Sequence, residues 1–454
     1  MRTVYISPLT WQASYQPEFA TYVYRPGWQN PCGKTCWQLM PVEMRANNHA
    51  LPFVLITIFI DSIGFGLIMP VLPRLLMRVG GLDVAGAISV AGWMGLAMAL
   101  AAFFAAPVLG GLSDAYGRRR VLLIALAGLV ADYLLLAFAS TLPLVFLGRV
   151  LSGLFGGSYA PAQAAIADFT APADRARNFG LVSAAFGVGF VAGPALGGLM
   201  SEWGTRAPFI AAAVLAGINF IYGTVLFPDT LKPESRRPFK FSRANPLGAW
   251  RALRATPGML GIASVLLLWQ LASLVYPMTW SFWAIAQLGW SDRLIGLSLA
   301  AVGIVIALSQ TFLTGPLVKR LGERDAASIG LAGAVAGFVG YALTHSTWLA
   351  FALMGCIGLQ SLVQPSLMAM LSRRATAETQ GETQGIASMT MGIGNVIAPL
   401  VLTVPLAWLS GPSAPVRFTG AAFAVAAMFG IAALAMLRRL PKAEAAVSGL
   451  NPSA

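Results

Sequence analysis

Charge is what this 454-residue chain has least of. Asp, Glu, Lys and Arg together make up 10% of it, against about 25% in an ordinary soluble domain. So little charge excludes a water-facing surface over most of the chain. Cysteine (3) and histidine (2) are equally scarce. Three cysteines build no disulfide framework. Cys356 lies in an apolar run as a small hydrophobe, and Cys32 and Cys36 have C-x-x-x-C spacing but no second pair of ligands nearby. With His49 in the terminal segment and His345 at the end of an apolar run, no nucleophile with a base and no metal cluster can be assembled. An enzyme is therefore the least favoured reading, and no metal or cofactor is implied. Residues 1–48 also lack the apolar core of a secretory signal.

What the chain does have is apolar length. Hydrophobic residues make up 57%, glycines number 48 and the mean hydropathy is +0.72. From Leu51 onward twelve apolar runs follow, at about 51–73, 86–109, 121–140, 142–167, 179–200, 207–227, 259–283, 294–316, 326–344, 347–371, 384–409 and 416–437. Each is long enough to cross a ~30 Å hydrocarbon core at about 1.5 Å per residue. The expected fold is an all-α membrane protein with twelve transmembrane helices. Before the first run, 1–48 carries five prolines and no period, and is expected to be a disordered extension, or a start-site artefact with translation beginning at Met40 or Met44. A disordered tail is expected at 441–454.

The formal charge of +13 sets orientation rather than a nucleic-acid partner, because the basic residues sit in short loops. With both termini cytoplasmic, the cytoplasmic loops and tail hold twenty Lys/Arg. The external loops hold five, Arg74, Arg78, Arg206, Arg293 and Arg417. Between the sixth and seventh runs, 228–258 carries seven basic residues and reads as a cytoplasmic basic linker in contact with lipid head groups. The halves on either side repeat at an offset of 205 residues: Gly110/Gly315, Gly117/Gly322, Gly180/Gly385, Gly187/Gly392, Gly189/Gly394 and Pro194/Pro399. Two six-helix bundles in parallel repeat are expected, 49–228 and 259–440, with a binding cavity between them near the midplane.

Three charged residues lie deep within runs: Asp61, Asp132 and Arg149. The two acids lie ~15 Å deep. Such residues are expensive unless paired or facing a wet cavity, and a carboxyl whose guanidinium neighbour or water access changes can load and release a proton. A static Asp/Arg bridge that fixes packing is the alternative. Their counterparts at the 205 offset are Leu266, Gly337 and Met354, so the second half has no interior charge. Its substrate-binding candidates are Trp269, Gln270, Gln310, Gln360, Gln364 and Asn395, which orient a ligand by hydrogen bonds. In the fifth run, Gly189, Gly193 and Gly197 share a face for close approach, followed by Gly198, and Pro194 invites a kink.

These residues resemble a known family. GGLSDAYGRRR (110–120) resembles the loop signature GxLaDrxGrr of the major facilitator superfamily, and GRVLSGLFGG around Arg149 looks like its helix 4 motif. GVGFVAGPALGG (187–198) is similar to the helix 5 motif of its antiporters. IDSIGFGLIMPVLP (60–73), VADYLLLAFA (130–139) and LTGPLVKRLGE (313–323) resemble the proton-coupled tetracycline efflux transporters. The resemblance implies a multi-pass bacterial inner-membrane exporter of small amphipathic drugs, tetracycline-like or otherwise lipophilic. It would work by alternating access, driven by the proton gradient, with no cofactor, as a monomer among membrane lipids. Asp61, Asp132 and Arg149 then match coupling residues, and Gly110, Asp114, Gly117, Arg118 and Arg119 a gating loop. Asp114 is expected to dock on neighbouring helix ends, with Gly110 and Gly117 allowing close approach. Ile306 and Ala334 stand where those transporters typically carry a histidine and an aspartate, a departure that points away from a tetracycline–metal chelate. Two other functions fit the same pattern less well: a metabolite importer or facilitator, and a non-transporting scaffold or receptor.

Overall fold

The computed structural model describes residues 42–441 except 157–158, 172–173, 232, 240, 242–247, 249, 251–252, 254–257, 375–379 and 413. Most of the expected N-terminal extension, Cys32 and Cys36 with it, and all of the tail after Pro441 lie outside the described residues. Among those described the secondary structure is helical throughout.

In the first half the helices are α1 (Val42–Ile68), α2 (Leu72–Gly80), α3 (Val84–Tyr116), α4 (Arg118–Phe138), α5 (Leu142–Phe155), α6 (Tyr159–Phe169), α7 (Arg175–Met200) and α8 (Ala207–Leu226). The second half has α9 (Met259–Ser273), α10 (Val275–Leu288), α11 (Asp292–Leu308), α12 (Gly315–Leu321), α13 (Glu323–Leu343), α14 (Thr347–Ala352), α15 (Met354–Gln360), α16 (Val363–Ser372), α17 (Gln380–Ser410) and α18 (Ala421–Arg439). Among the described residues eleven helical segments are long and apolar enough to cross a membrane, and α5 is a shorter apolar helix. Several expected runs are single spans with interruptions: α9 passes into α10 at Leu274, and α14, α15 and α16 follow one another between Thr347 and Ser372.

Two boundaries differ from expectation for identifiable reasons. The first run, expected to end at 73, stops at Ile68, because Pro70 and Pro73 lack the N–H donors a continuing helix needs. A short helix, α2, follows, so Arg74 and Arg78 ride on a helix rather than in a loop. At the other end α1 starts at Val42, ahead of the expected 51.

From Ala46 onward the chain packs as one compact unit. Within the first half α4 lies against α5 and α8, and α3 against α5; within the second, α18 lies against α9 and α13. The halves meet along two seams, α3 against α17 and α7 against α11. These seams are twins under the 205 offset, because α3 corresponds to α11 and its continuation, and α7 to α17. The turn glycines agree: Gly117 has φ 98° and its twin Gly322 φ 82°, a region open mainly to glycine.

Candidate functional site

Asp132 and Arg149 come together in the first half. Arg149 Nη2 donates to Asp132 Oδ2 at 3.2 Å and Oδ1 at 3.3 Å, with the Asp132 side chain fully buried and Arg149 8% exposed. The Ser152 side chain lies beside the Asp132 carboxylate. Gly148 makes room for it, since a Cβ there would stand 3.0 Å from Asp132 Oδ1. Asp61 is half-buried on α1 and lines a small chamber of about 240 Å³ with Tyr133 and Ser152. Tyr133, fully buried, lies within the electrostatic reach of Asp61, Asp132 and Arg149 at once. The three sequence-singled charges thus form one cluster around a tyrosine and a serine that the sequence reading did not single out. The available signal was position: Tyr133 directly follows Asp132, and Ser152 lies one helical turn beyond Arg149.

A central cavity of about 1080 Å³ lies between the halves. Its wall is mostly apolar, with Met and Phe its commonest residues, and includes a stacked run of Phe65, Phe190 and Phe186 with centroids 6.4 Å and 5.8 Å apart. Arg149 lines it. Of the six substrate candidates, Asn395 alone lines this cavity. Gln270 Nε2 donates to Asn395 Oδ1 at 3.1 Å, with Gly394 leaving room for the Gln270 stem. Gln364 reaches the sulfur of Met391, itself a wall residue. The other three are placed elsewhere: Trp269 and Gln360 are buried, Trp269 in the hydrophobic core, and Gln310 is exposed on the π-helical turn Ser309–Thr314. Helices apolar all round leave no sequence cue to which face meets the cavity.

The α7 glycines act on two neighbours. Gly189, Gly193 and Gly197 face the backbone of α1 at Phe59, Ile63 and Leu67, a matching four-residue step; Cβ atoms at Gly189 and Gly193 would stand 2.7 Å from the Phe59 and Ile63 carbonyl oxygens. Gly198 faces the other half instead, against Asp292, Arg293 and Gly296 of α11. Gly296 in turn packs on the Pro194 carbonyl. The stripe is therefore an intra-half contact, while Gly198 and Pro194 belong to the seam.

The GGLSDAYGRRR turn is held by its arginines. Arg118 pairs with Asp114 at 2.5 Å and Asp168 at 2.9 Å, and its Nη1 also reaches Ser113 Oγ at 3.2 Å. Its backbone N–H donates to Asp229 Oδ1 at 3.0 Å, and Asp229 also pairs with Arg236. Arg119 caps the carbonyl of Thr224 at the end of α8. Gly117 must be glycine, both for its positive φ and because a Cβ would strike Asp229. The expectation for Gly110 needs correcting, since a Cβ there meets nothing; Gly111 is the close contact, against Phe239. The main-chain N–H of Arg237 bonds the Asp114 carbonyl, so the linker is strapped to this turn.

At the opposite end the halves are clasped. Arg74 Nε meets Asp292 Oδ1 at 2.6 Å and Arg293 meets Glu202 at 3.0 Å, while the Ser281 hydroxyl donates to the Met69 carbonyl at 2.8 Å. The cavity wall runs away from this clasp, reaching Ala106, Phe186 and Gly248 toward the Gly117 end.

The family model for the Major Facilitator Superfamily matches residues 54–399 and 271–453. The chain belongs to that superfamily. It is 39% identical over 396 residues to the class C tetracycline resistance protein of Escherichia coli, 87% of this chain and 97% of that one. To the class G protein of Vibrio anguillarum it is 36% identical, over 85% and 96%. Among solved structures, a nucleoside transporter superposes with a TM-score of 0.72 at 16% identity, over 87% of this chain and 100% of that one. A D-xylose–proton symporter gives 0.68 at 16%, over 88% and 98%. This major facilitator chain is a multi-pass membrane protein of a transporter family, not an enzyme. Ile306 and Ala334, the two positions at which it departs from the tetracycline-transporter pattern, are both packed in the hydrophobic interior: Ala334 is 1% exposed, and neither lines the cavity.

Proposed function

We propose that this protein is a proton-coupled secondary transporter that exports small amphipathic drugs across a bacterial inner membrane by alternating access. The observation that carries the reading is the buried Asp132–Arg149 pair whose arginine also lines a large apolar cavity. A ligand entering the cavity and a proton arriving at the carboxylate act on the same ion pair, which is what coupling requires. Tetracycline resistance proteins among the relatives supply the drug class.

In this reading α5 and α6 together make the twelfth span, both termini are cytoplasmic, and the bundles 49–228 and 259–440 rock about the seams, joined by the linker 229–258. The clasp at Arg74–Asp292 is then external, and the conformation is inward-facing. Asp61, Asp132 and Arg149 handle the proton, with the proton gradient as the energy source and no cofactor. Asp114, Gly117, Arg118 and Arg119 gate the inner face, and the Pro194–Gly198 end of α7 forms the sliding contact.

The test is drug transport into inside-out vesicles energised by a pH gradient. Asp132→Asn is expected to reduce gradient-driven uptake to the background of vesicles without the protein. Uptake that persists with unchanged gradient dependence removes the proton role of this site.

A further inference from the structure

Asp132 is closed off from both cavities. Its carboxylate is fully buried and lines neither the central cavity nor the small chamber, so a proton bound for it has to pass through a neighbouring group. On the cavity side that neighbour is Arg149, whose guanidinium keeps its protons and hands none on. On the chamber side the neighbours are two hydroxyls, Ser152 beside the carboxylate and Tyr133 within the electrostatic reach of both acids. The Tyr133 hydroxyl is set over Gly64 of α1, where an added Cβ would stand 2.8 Å from it, and Gly64 lies about one helical turn beyond Asp61. Asp61 lines the same chamber. A hydroxyl accepts one hydrogen bond while giving another, which a proton path needs and a guanidinium cannot supply. The chamber's volume of about 240 Å³ has room for several waters, and it shares Phe65, Met98, Ala102 and Ala106 with the central cavity. All four are apolar, so water entering there first meets polar side chains at Asp61, Tyr133 and Ser152.

Resting on the proton-coupled reading, we infer that the chamber admits the proton to the buried pair and that the Tyr133 and Ser152 hydroxyls relay it from Asp61 to Asp132. Asp61, half-buried in the chamber wall, takes the proton from water. Its carboxyl O–H gives that proton toward Tyr133 Oη as the tyrosine hydroxyl gives its own toward Ser152 Oγ, and the serine hydroxyl gives its own to an Asp132 oxygen, each step direct or through a chamber water. Asp61 is again a carboxylate, both hydroxyls are neutral, and Asp132 has become the acid. The Arg149 guanidinium then loses its charged partner and is left facing the central cavity. Among the described residues of the helices packed on α4, α5 brings Arg149, α3 and α6 bring Asp114 and Asp168, both held by Arg118 at the turn, and α8 brings no charged side chain. Asp61 and Arg149 are thus the charges that face the relay.

The relay is tested by the rate of proton uptake rather than by transport, so no substrate is needed. The purified full-length protein in detergent, weakly buffered and mixed with a pH-indicator dye, is jumped from alkaline to neutral pH in a stopped-flow instrument. The part of the uptake that Asp132→Asn removes is the Asp132 phase. Tyr133→Phe, which keeps the ring over Gly64 and deletes only the hydroxyl, is expected to keep the amplitude of that phase and slow it about tenfold, and Ser152→Ala to slow it about threefold. Asp61→Asn is expected to slow it as Tyr133→Phe does and to remove one further proton from the total. An unchanged rate in Tyr133→Phe or in Ser152→Ala overturns the path, and either variant decides alone where the other does not fold. A Tyr133→Phe protein that loses amplitude at an unchanged rate also overturns it, because the hydroxyl then only shapes the site. Asp132→Asn with the full wild-type uptake overturns the proton reading itself, whereas a lost Asp132 phase beside unslowed hydroxyl variants overturns the relay and leaves that reading standing.

Discussion

The two halves of this chain share a scaffold and differ inside it. Where the first half buries Asp132 against Arg149, the second has Gly337 and Met354; where the first opens space with Gly148, the second fills it with Leu353. In place of the charge cluster the second half carries a dense aromatic group, Tyr276, Trp280, Trp283, Tyr341 and Phe423, with centroids 5.1–6.2 Å apart. Helix packing and turn geometry survive duplication because they depend on small residues at a few contacts. Ionisable chemistry is retained where the surroundings satisfy it. In the proposed reading the first half responds to a proton and the second stays rigid beside it.

The sharpest break of that comparison is to place a carboxylate in the second half. Gly337→Asp at the Asp132-equivalent position would lie near the Cys356 Cβ, 3.0 Å from an added Cβ, and near the Tyr276 hydroxyl at 3.9 Å, with no arginine at Met354. An unpaired buried charge costs several kcal/mol. The expected result is a protein that fails to accumulate in membranes, while Gly337→Ala accumulates. Near-normal accumulation of Gly337→Asp would mean that the second half is not the dry, rigid partner described above.

A smaller effect separates the twin helices α7 and α17. The stripe Gly189, Gly193, Gly197 becomes Gly394, Ala398, Leu402 under the offset. Gly193 lies against backbone, an added Cβ standing 2.7 Å from the Ile63 oxygen and 2.8 Å from the Gly66 Cα, whereas Ala398 is already a buried alanine. Gly193→Ala should destabilise by about 1–3 kcal/mol through overpacking. Ala398→Gly should cost about 1 kcal/mol, mainly helix propensity. Thermal unfolding midpoints in detergent give the ranking, and equal shifts would show that the two twin helices are packed alike.

What the sequence disclosed follows the same division. Eleven of the twelve apolar runs, the 205 offset, the turn glycine Gly117 and the rare interior charges are local signals, and each has a structural counterpart among the described residues. Tyr133 and Gly148 were missed because their roles depend on which face of an all-apolar helix meets another, which hydropathy does not encode. Trp269 and Gln360 were misplaced for the same reason. Arg74 and Asp292 are 218 residues apart, and Arg74 was expected in an external loop, so their pairing is a product of tertiary structure alone.

That clasp offers the finest test, because its two ion pairs differ in burial. Asp292 is 9% exposed and also abuts the α7 end at Gly198, while Arg293 and Glu202 are 58% and 52% exposed. Arg74 is itself 46% exposed, which limits what the inner pair contributes to about 1 kcal/mol. Asp292→Asn should therefore raise, about fivefold, the rate at which a membrane-impermeant thiol reagent added on the clasp side labels a Met278→Cys cavity probe, in a chain with Cys32, Cys36 and Cys356 replaced by serine. Arg293→Gln should change that rate less than twofold, because an exposed pair is screened and loses side-chain entropy in forming. A larger effect from Arg293→Gln would place the hold between the halves at the rim, and the opening motion would then begin at the α7 end rather than at α2.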